Sequence, residues 1–146
     1  MSEVGTRNDP YKGYNFKLAI QGITEAHFTE CSGLSAKIQV IDYRAGGEGQ
    51  IIRRLPGQLQ YPEVTFRYGL SDSRLLFDWF MQVCSGNLER KNLSVVMLGD
   101  DGQQQGPQWD LFDAWPMEWR AADLDALGKE VAIETLKLAF EKLERA

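Results

Sequence analysis

Residues 63–86, EVTFRYGLSDSRLLFDWFMQVCSG, change their hydrophobic period midway, and this change indicates the fold class. The first part alternates apolar and polar residues, which is the period-two pattern of a half-buried strand with Val64, Phe66 and Tyr68 on one face. The second part repeats its apolar residues at helical spacing, along a stripe formed by Leu75, Leu76, Trp79, Phe80 and Val83. The two patterns together predict a sheet that is covered on one face or at one open end by a helix.

The ends of this helix are indicated by residues with capping preferences. Ser71 or Asp72 is expected to accept hydrogen bonds from the first free N–H groups of the helix. Gly86 suits the left-handed conformation that often follows a last helical turn. We therefore predict a helix between these residues.

The period-two pattern recurs on both sides of the helix. It predicts strands in residues 14–20, 23–28, 36–43, 51–55 and 93–98. Turns are predicted at Pro56-Gly57 and at residues 99–102, where the second turn is followed by a polar tip of three glutamines. Residues 109–119 are aromatic and β-like, and Pro116 within them favours an edge strand or a bend over a central strand.

The C-terminal segment, residues 129–143, fits two structures. Its Glu, Leu and Lys residues favour a helix, whereas its alternating apolar residues suit a strand. The rest of the chain gives a mainly β fold, a β-barrel or sandwich of about seven strands with one α-helix packed on it and a long hairpin arm. The length of 146 residues fits a single domain over 1–146, with an N-terminal arm at 1–12 and an extended hairpin loop at 43–57.

Composition and charge exclude several classes of protein. A formal net charge of −5 argues against a general nucleic-acid binder, which usually presents a basic face. The first 14 residues contain no apolar core of a secretory signal, and no apolar run approaches membrane-spanning length. Cys31 and Cys84 lack a CxxC partner and are expected to be two buried thiols in a reducing compartment.

The residue types needed for catalysis or metal binding are sparse. The GGEG stretch at 46–49 lacks the spacing of a phosphate-binding loop, and no helix is predicted after it. His27 is the single histidine, which disfavours zinc sites and a Ser-His-Asp triad. Asp100 and Asp101 fit a solvated turn better than a cation site. We therefore expect no enzyme activity, no cofactor, and no catalytic, cofactor-binding or metal-binding residues.

An ordered set of segments along the chain resembles the phage tail-tube proteins of the T4 type. The resemblance covers roughly residues 9–143 and is carried by DPYKGYNFKLAIQGITEAHFTECSGLSAKIQVIDYRAGG, RLPGQLQYPEVTFRYGLSDSRLLFDWF, LERKNLSVVMLGDDG, FDAWPMEW and EVAIETLKLAF. No single motif among them is diagnostic, but their order is specific. Contractile injection systems related to phage tails use similar tube proteins.

The resemblance implies a structural subunit of an inner tube. Six copies are expected to form a ring, and rings are expected to stack into a hollow tube that delivers cargo through a target envelope. Implied partners are further copies of the chain, a sheath protein, baseplate and cap or terminator proteins, and cargo or DNA in the lumen, without membrane insertion. Assembly in the bacterial cytoplasm without a signal peptide, and incorporation into a phage tail or injection particle, are also implied. The resemblance further favours a strand in residues 129–143.

Residues 43–57, YRAGGEGQIIRRLPG, then read as the arm of a long hairpin that reaches a neighbouring subunit. Its glycines allow positive φ at the tip, and its charges offer contacts to another copy. The predicted ring-stacking or inter-subunit contacts are Tyr43, Arg44, Gly46, Gly47, Glu48, Gly49, Arg53 and Arg54.

Two alternative functions remain open from the sequence. One is a baseplate-proximal, tube-initiating or tube-capping paralogue of the same family. The other is a β-barrel module that binds carbohydrate or peptide, supported only by the four tryptophans, Trp79, Trp109, Trp115 and Trp119. The acidic excess of the chain also suggests a negatively charged lumen, through which DNA or acidic cargo would slide without binding.

Overall fold

The computed structural model of the protein describes residues 12–13, 16–21, 28–44, 46–47, 49, 51–102 and 105–146. These residues form nine strands and one helix. In chain order they are β1 (Phe16–Ile20), β2 (Phe28–Ser32), β3 (Lys37–Tyr43), β4 (Arg53–Gln60), β5 (Val64–Gly69), α1 (Leu75–Cys84), β6 (Lys91–Leu98), β7 (Gln105–Arg120), β8 (Ile133–Ala139) and β9 (Lys142–Arg145). Most of the predicted N-terminal arm, residues 23–27 of the strand predicted at 23–28, and the first two glutamines of the polar tip lie outside the described residues.

Seven strands form an antiparallel β-sandwich. One half contains β1, β6, the first part of β7 and β9, and the other contains the second part of β7, then β8, β5 and β2. Strands β1 and β2 end the pairing path, and they do not pair with each other in the described part of the chain. The mainly β fold with one packed helix is thus confirmed, in its sandwich form rather than as a closed barrel.

The long strand β7 belongs to both halves of the sandwich. Residues from Gln105 to Ala114 pair with β6, residues 109–112 also pair with β9, and residues 115–120 pair with β8. Close to the change of partner, Asp113 has a φ of 56°, unusual for a residue with a side chain, and its N–H donates a hydrogen bond to Asn92 Oδ1 at 3.1 Å. Such bends let one strand pass from one sheet to another.

Pro116 lies in the second part of β7, where the prediction of an edge or bend is confirmed. The strand continues through it unbroken, and its register against β8 shifts between Pro116 and Glu118. This part of β7 pairs with β8 alone, so it is the edge of its half of the sandwich and tolerates a residue without an N–H.

The core lies between the two halves and beneath the helix. From β5, Val64 and Phe66 are fully buried, and from β8, Leu136 and Leu138 are fully buried. These pairs face each other in register, with Val64 opposite Leu138 and Phe66 opposite Leu136. The C-terminal segment is therefore a strand, because this face of it completes the core.

Helix α1 covers the sandwich with a narrower stripe than the sequence predicts. Leu76 and Trp79 are buried, and the Trp79 indole N–H donates to the Glu89 backbone oxygen at 2.7 Å. Leu75, placed on the predicted stripe, is instead 43% exposed.

The predicted cap at Ser71 or Asp72 is wrong, whereas the predicted end is confirmed. The N-cap is Arg74, without a side-chain capping bond, because the helix begins later than expected. Gly86 follows the helix with a φ of 88°.

A second correction concerns Pro56-Gly57, which does not form a turn. Strand β4 runs through both residues, and a register shift between Ile38 and Val40 accommodates them opposite β3. A Cβ at Gly57 would lie 2.8 Å from the Gln39 backbone oxygen, so the glycine here permits a close approach between strands.

Candidate subunit interface

Strands β3 and β4 form a two-stranded antiparallel sheet of their own, separate from the sandwich. Their register runs from Lys37 opposite Gln60 to Tyr43 opposite Arg53. Every residue of β3 is exposed, and in β4 only Gly57 is partly covered. Two-stranded hairpins are marginal alone in water, so this one is poorly supported by its own packing.

The hairpin carries apolar side chains on both of its faces. Six of them from the two strands are between 44% and 53% exposed, namely Ile38, Val40, Ile41, Tyr43, Leu55 and Leu59. Ile51 and Ile52, just before β4, are 59% and 51% exposed. Strand β5, the next strand in the chain, also carries large apolar residues, and they are fully buried. The exposure of the hairpin therefore does not result from its residue types. Contiguous exposed apolar surface of this kind marks interaction sites in soluble proteins.

The charges of the hairpin are concentrated near its turn. Arg53 lies opposite Tyr43, and Arg54 lies opposite Asp42. The Arg54 Nε is 3.8 Å from Asp42 Oδ1, with both side chains more than two-thirds exposed. Exposed pairs at this separation contribute about 0–1 kcal/mol, so the pair does little to hold the hairpin.

The turn between the strands contains the predicted glycines. Gly47 and Gly49 have φ values of 90° and 69°, and an added Cβ at either residue or at Gly46 would meet nothing within 4 Å. Glu48 lies outside the described residues. The predicted contact residues that the structure describes are thus grouped at one end of the hairpin, although their contact with another subunit stays a prediction.

A second exposed apolar surface lies in residues 121–132, between β7 and β8. Leu124, Leu127 and Val131 are 83%, 92% and 77% exposed, more than any apolar residue of the hairpin. The sequence analysis missed this segment. A signal was present, since these apolar residues stand among Asp, Gly and Lys residues without a strand pattern.

The titratable groups with shifted pKa values have structural explanations. The pKa of Asp110 is lowered because Gln108 Nε2 and the Ser94 hydroxyl each donate to its Oδ1 at 2.7 Å. Burial, aided by the charge of Glu30, raises the pKa of the Cys31 thiol from 9.0 to about 11. The expectation of two buried thiols is wrong, because Cys84 is exposed at the end of α1 and Cys31 is only partly buried.

The described part of the chain contains no group of three or more His, Cys, Asp or Glu residues that could hold a metal ion. His27 is outside that part. None of its helices is long and apolar enough to cross a membrane. An open, polar groove of about 620 Å³ lies beside the 121–132 segment. On one of its walls, Glu30 and Arg67 form an ion pair, with Arg67 Nε 3.0 Å from Glu30 Oε2.

The tryptophans are used mainly in packing. Trp79 is buried, and Trp109 and Trp119 pack against the core cluster. The Trp119 and Phe77 rings pack edge to face with their centroids 4.9 Å apart, and the Trp119 indole N–H donates to Glu134 Oε2 at 3.1 Å. Trp115 is half-buried. These contacts weaken the argument for a carbohydrate- or peptide-binding module.

We compared the sequence that forms this sandwich and exposed hairpin with known protein families. The sequence model of the family described as T4-like virus tail tube protein gp19 matches residues 12–144. The chain belongs to this family. The family resemblance of the sequence is therefore confirmed over nearly its whole length. A search of curated proteins found no significant match.

Several solved structures are similar to this tail tube family member in fold and over most of its length. A chain in the PVC sheath-tube complex of an extracellular contractile injection system, in the extended state, is 25% identical, with a TM-score of 0.83 over 94% of this chain and 91% of that chain. A chain in the PVC sheath/tube terminator is 24% identical, with a TM-score of 0.86 over 97% and 99%. A chain in the anti-feeding prophage baseplate is 24% identical, with a TM-score of 0.81 over 96% and 97%.

Proposed function

We propose that this chain is a structural subunit of the inner tube of a contractile injection system or phage-tail-like particle. Six copies form a ring, and rings stack into a hollow tube that delivers cargo. The observation that carries the proposal is the β3–β4 hairpin, whose apolar side chains are about half exposed on both faces. Membership of the tail tube family supports a neighbouring subunit as the surface that covers them.

The hairpin also explains how subunits can avoid free strand edges. Within the part of the chain that the structure describes, each of its two strands has one unpaired edge, and such edges pair readily with other chains. If neighbouring subunits pair with these edges or cover them, the edges become part of a subunit contact and are no longer free for aggregation. We propose that Tyr43, Arg44, Arg53, Arg54 and the turn between them take part in contacts of this kind.

The proposed partners follow from the assemblies that contain similar chains. They are other copies of the chain, a sheath protein, a baseplate and a terminator or cap, with cargo or DNA in the lumen. The proposed role is structural rather than enzymatic. Synthesis and assembly in the bacterial cytoplasm stays a prediction of the sequence.

A second candidate is a tube-capping or baseplate-proximal paralogue. The matches to the terminator and baseplate chains, with TM-scores of 0.86 and 0.81, favour it about as well as the tube match at 0.83. Both candidates place the chain in the same particle, and they differ in whether rings of this chain stack on one another.

Electron microscopy of the purified protein tests the proposal. Tubes of stacked sixfold rings are expected for a main tube subunit, and single rings that do not stack are expected for a paralogue. A monodisperse monomer at high protein concentration, checked by sedimentation velocity, would contradict both.

A further inference from the structure

The 121–132 segment, which connects β7 to β8, contains a hydrogen-bonded turn. Asp125 organises it, because the Leu127 N–H donates to Asp125 Oδ1 and the Gly128 N–H donates to the Asp125 backbone oxygen, each at 3.0 Å. The three apolar side chains of the segment take little part in this, since each is at least 77% exposed. The turn therefore presents Leu124, Leu127 and Val131 to solvent.

The 121–132 segment and the β3–β4 hairpin have opposite charges. The segment carries Asp123, Asp125 and Glu130 against Lys129, a net charge of −2. Residues 37–60, which span the hairpin from β3 through its turn to β4, carry four basic residues against Asp42 and Glu48, a net charge of +2. Both surfaces are apolar and exposed, so each needs a cover, and their charges suit each other.

The two surfaces are also joined to the sandwich at opposite ends of strand β5. The hairpin joins the end of β2 to the start of β5, where Val64 pairs with Leu138. The 121–132 segment precedes β8, whose first residue, Ile133, pairs with the last residue of β5, Gly69. The six residues of β5 separate these ends by about 17 Å at the usual rise per residue.

We infer that the hairpin of one copy docks on the 121–132 segment of a second copy. The inference rests on the proposed function and names the two surfaces that meet. Charge decides between the possible pairings, because hairpin against hairpin and segment against segment would each bring like charges together. A contact between two different surfaces is heterologous, and it repeats from copy to copy until it closes into a ring or continues as a filament.

Charge exchange between the two surfaces tests the inference. The hairpin variant carries Arg44→Glu and Arg53→Glu, and the segment variant carries Asp123→Arg and Glu130→Arg. Asp125 is left unchanged because it holds the turn. Each variant is expected to raise the protein concentration needed for assembly about tenfold or more, since like charges then face each other. The variant with all four substitutions is expected to recover most of the assembly.

Assembly is measured by sedimentation velocity and electron microscopy over a concentration series, and circular dichroism confirms that each variant is folded. The matched control is Asp123→Glu with Glu130→Asp, which keeps the charge and is expected to assemble as the unchanged protein does.

The outcomes separate the inference from the proposed function. If the unchanged protein assembles and the segment variant assembles equally well, the docking inference is wrong and the tube function stands. If both paired variants are impaired and the fourfold variant is not restored, direct pairing of these surfaces is refuted. An unchanged protein that never assembles refutes the proposed function and the inference with it.

Discussion

Replacing Ile41 and Leu55 together with serine should weaken assembly while leaving the fold of the subunit nearly unchanged. The two residues are cross-strand partners in the hairpin and are 50% and 44% exposed. Full burial of such a side chain contributes about 1.5–3 kcal/mol, so covering the exposed half contributes about 1 kcal/mol for each. The pair then contributes about 2 kcal/mol to each contact, which corresponds to about a thirtyfold change in dissociation constant.

The same substitutions should have a small effect on unfolding. No residue of β3 or β4 belongs to the core cluster, so the hairpin can open without unfolding the sandwich. We expect the free energy of unfolding of the monomer to fall by less than about 1 kcal/mol, the range of cross-strand contacts. Urea denaturation of the monomer and sedimentation velocity of the assembling protein measure the two quantities.

Leu138→Ala provides the contrasting control. Leu138 is fully buried between β5 and β7, and its truncation is expected to cost about 2–5 kcal/mol in unfolding free energy. The reasoning is refuted if the serine pair destabilises the monomer as much as Leu138→Ala does, or if it leaves the assembly concentration unchanged.

Two further predictions concern the sandwich itself. Gly33→Ala should lower the free energy of unfolding by more than about 2 kcal/mol, because its φ is 84° and a Cβ would lie 2.7 Å from a backbone oxygen; Gly86→Ala, with a φ of 88° and open space around it, should cost only about 1–2 kcal/mol. Equal urea midpoints for the two variants would count against this account. Iodoacetamide at pH 8 should modify exposed Cys84 well before Cys31, whose pKa is raised to about 11. Because the unfolded thiol ionises first, Cys31 should make stability fall as pH rises from about 9 to about 11; a Cys31→Ala variant with the same pH profile would contradict it.

The sequence predicted those parts of the fold in which the spacing of apolar residues fits only one type of secondary structure. The alternation at Val64, Phe66 and Tyr68 gave β5, and the helical spacing around Leu76 and Trp79 gave α1. Both patterns reflect burial against one face, which local sequence records directly. Residues 129–143 carried two readings, and the choice of strand depends on β5 as a partner, which lies far away in the chain.

The errors arose where tertiary structure overrides local preference. Pro56-Gly57 has turn chemistry, yet a bulge opposite Gln39 carries both residues through a strand. The exposure of the hairpin could not be read from its residues, because Ile38 and Ile41 resemble core residues in any pattern. Leu124 and Leu127 were overlooked for the related reason that an apolar side chain does not show whether its cover lies in the same chain.

The bend at Asp113 has a mechanical consequence for a subunit that carries load. The first part of strand β7 pairs with β6 and β9 and its second part pairs with β8, so the two halves of the sandwich share one continuous backbone. A force that separates the two halves must stretch β7 or break its hydrogen bonds to one half, because β7 connects the halves covalently. Separation of the two halves therefore requires the pairing on one side of β7 to break as a row, so the hydrogen bonds of that row share the load.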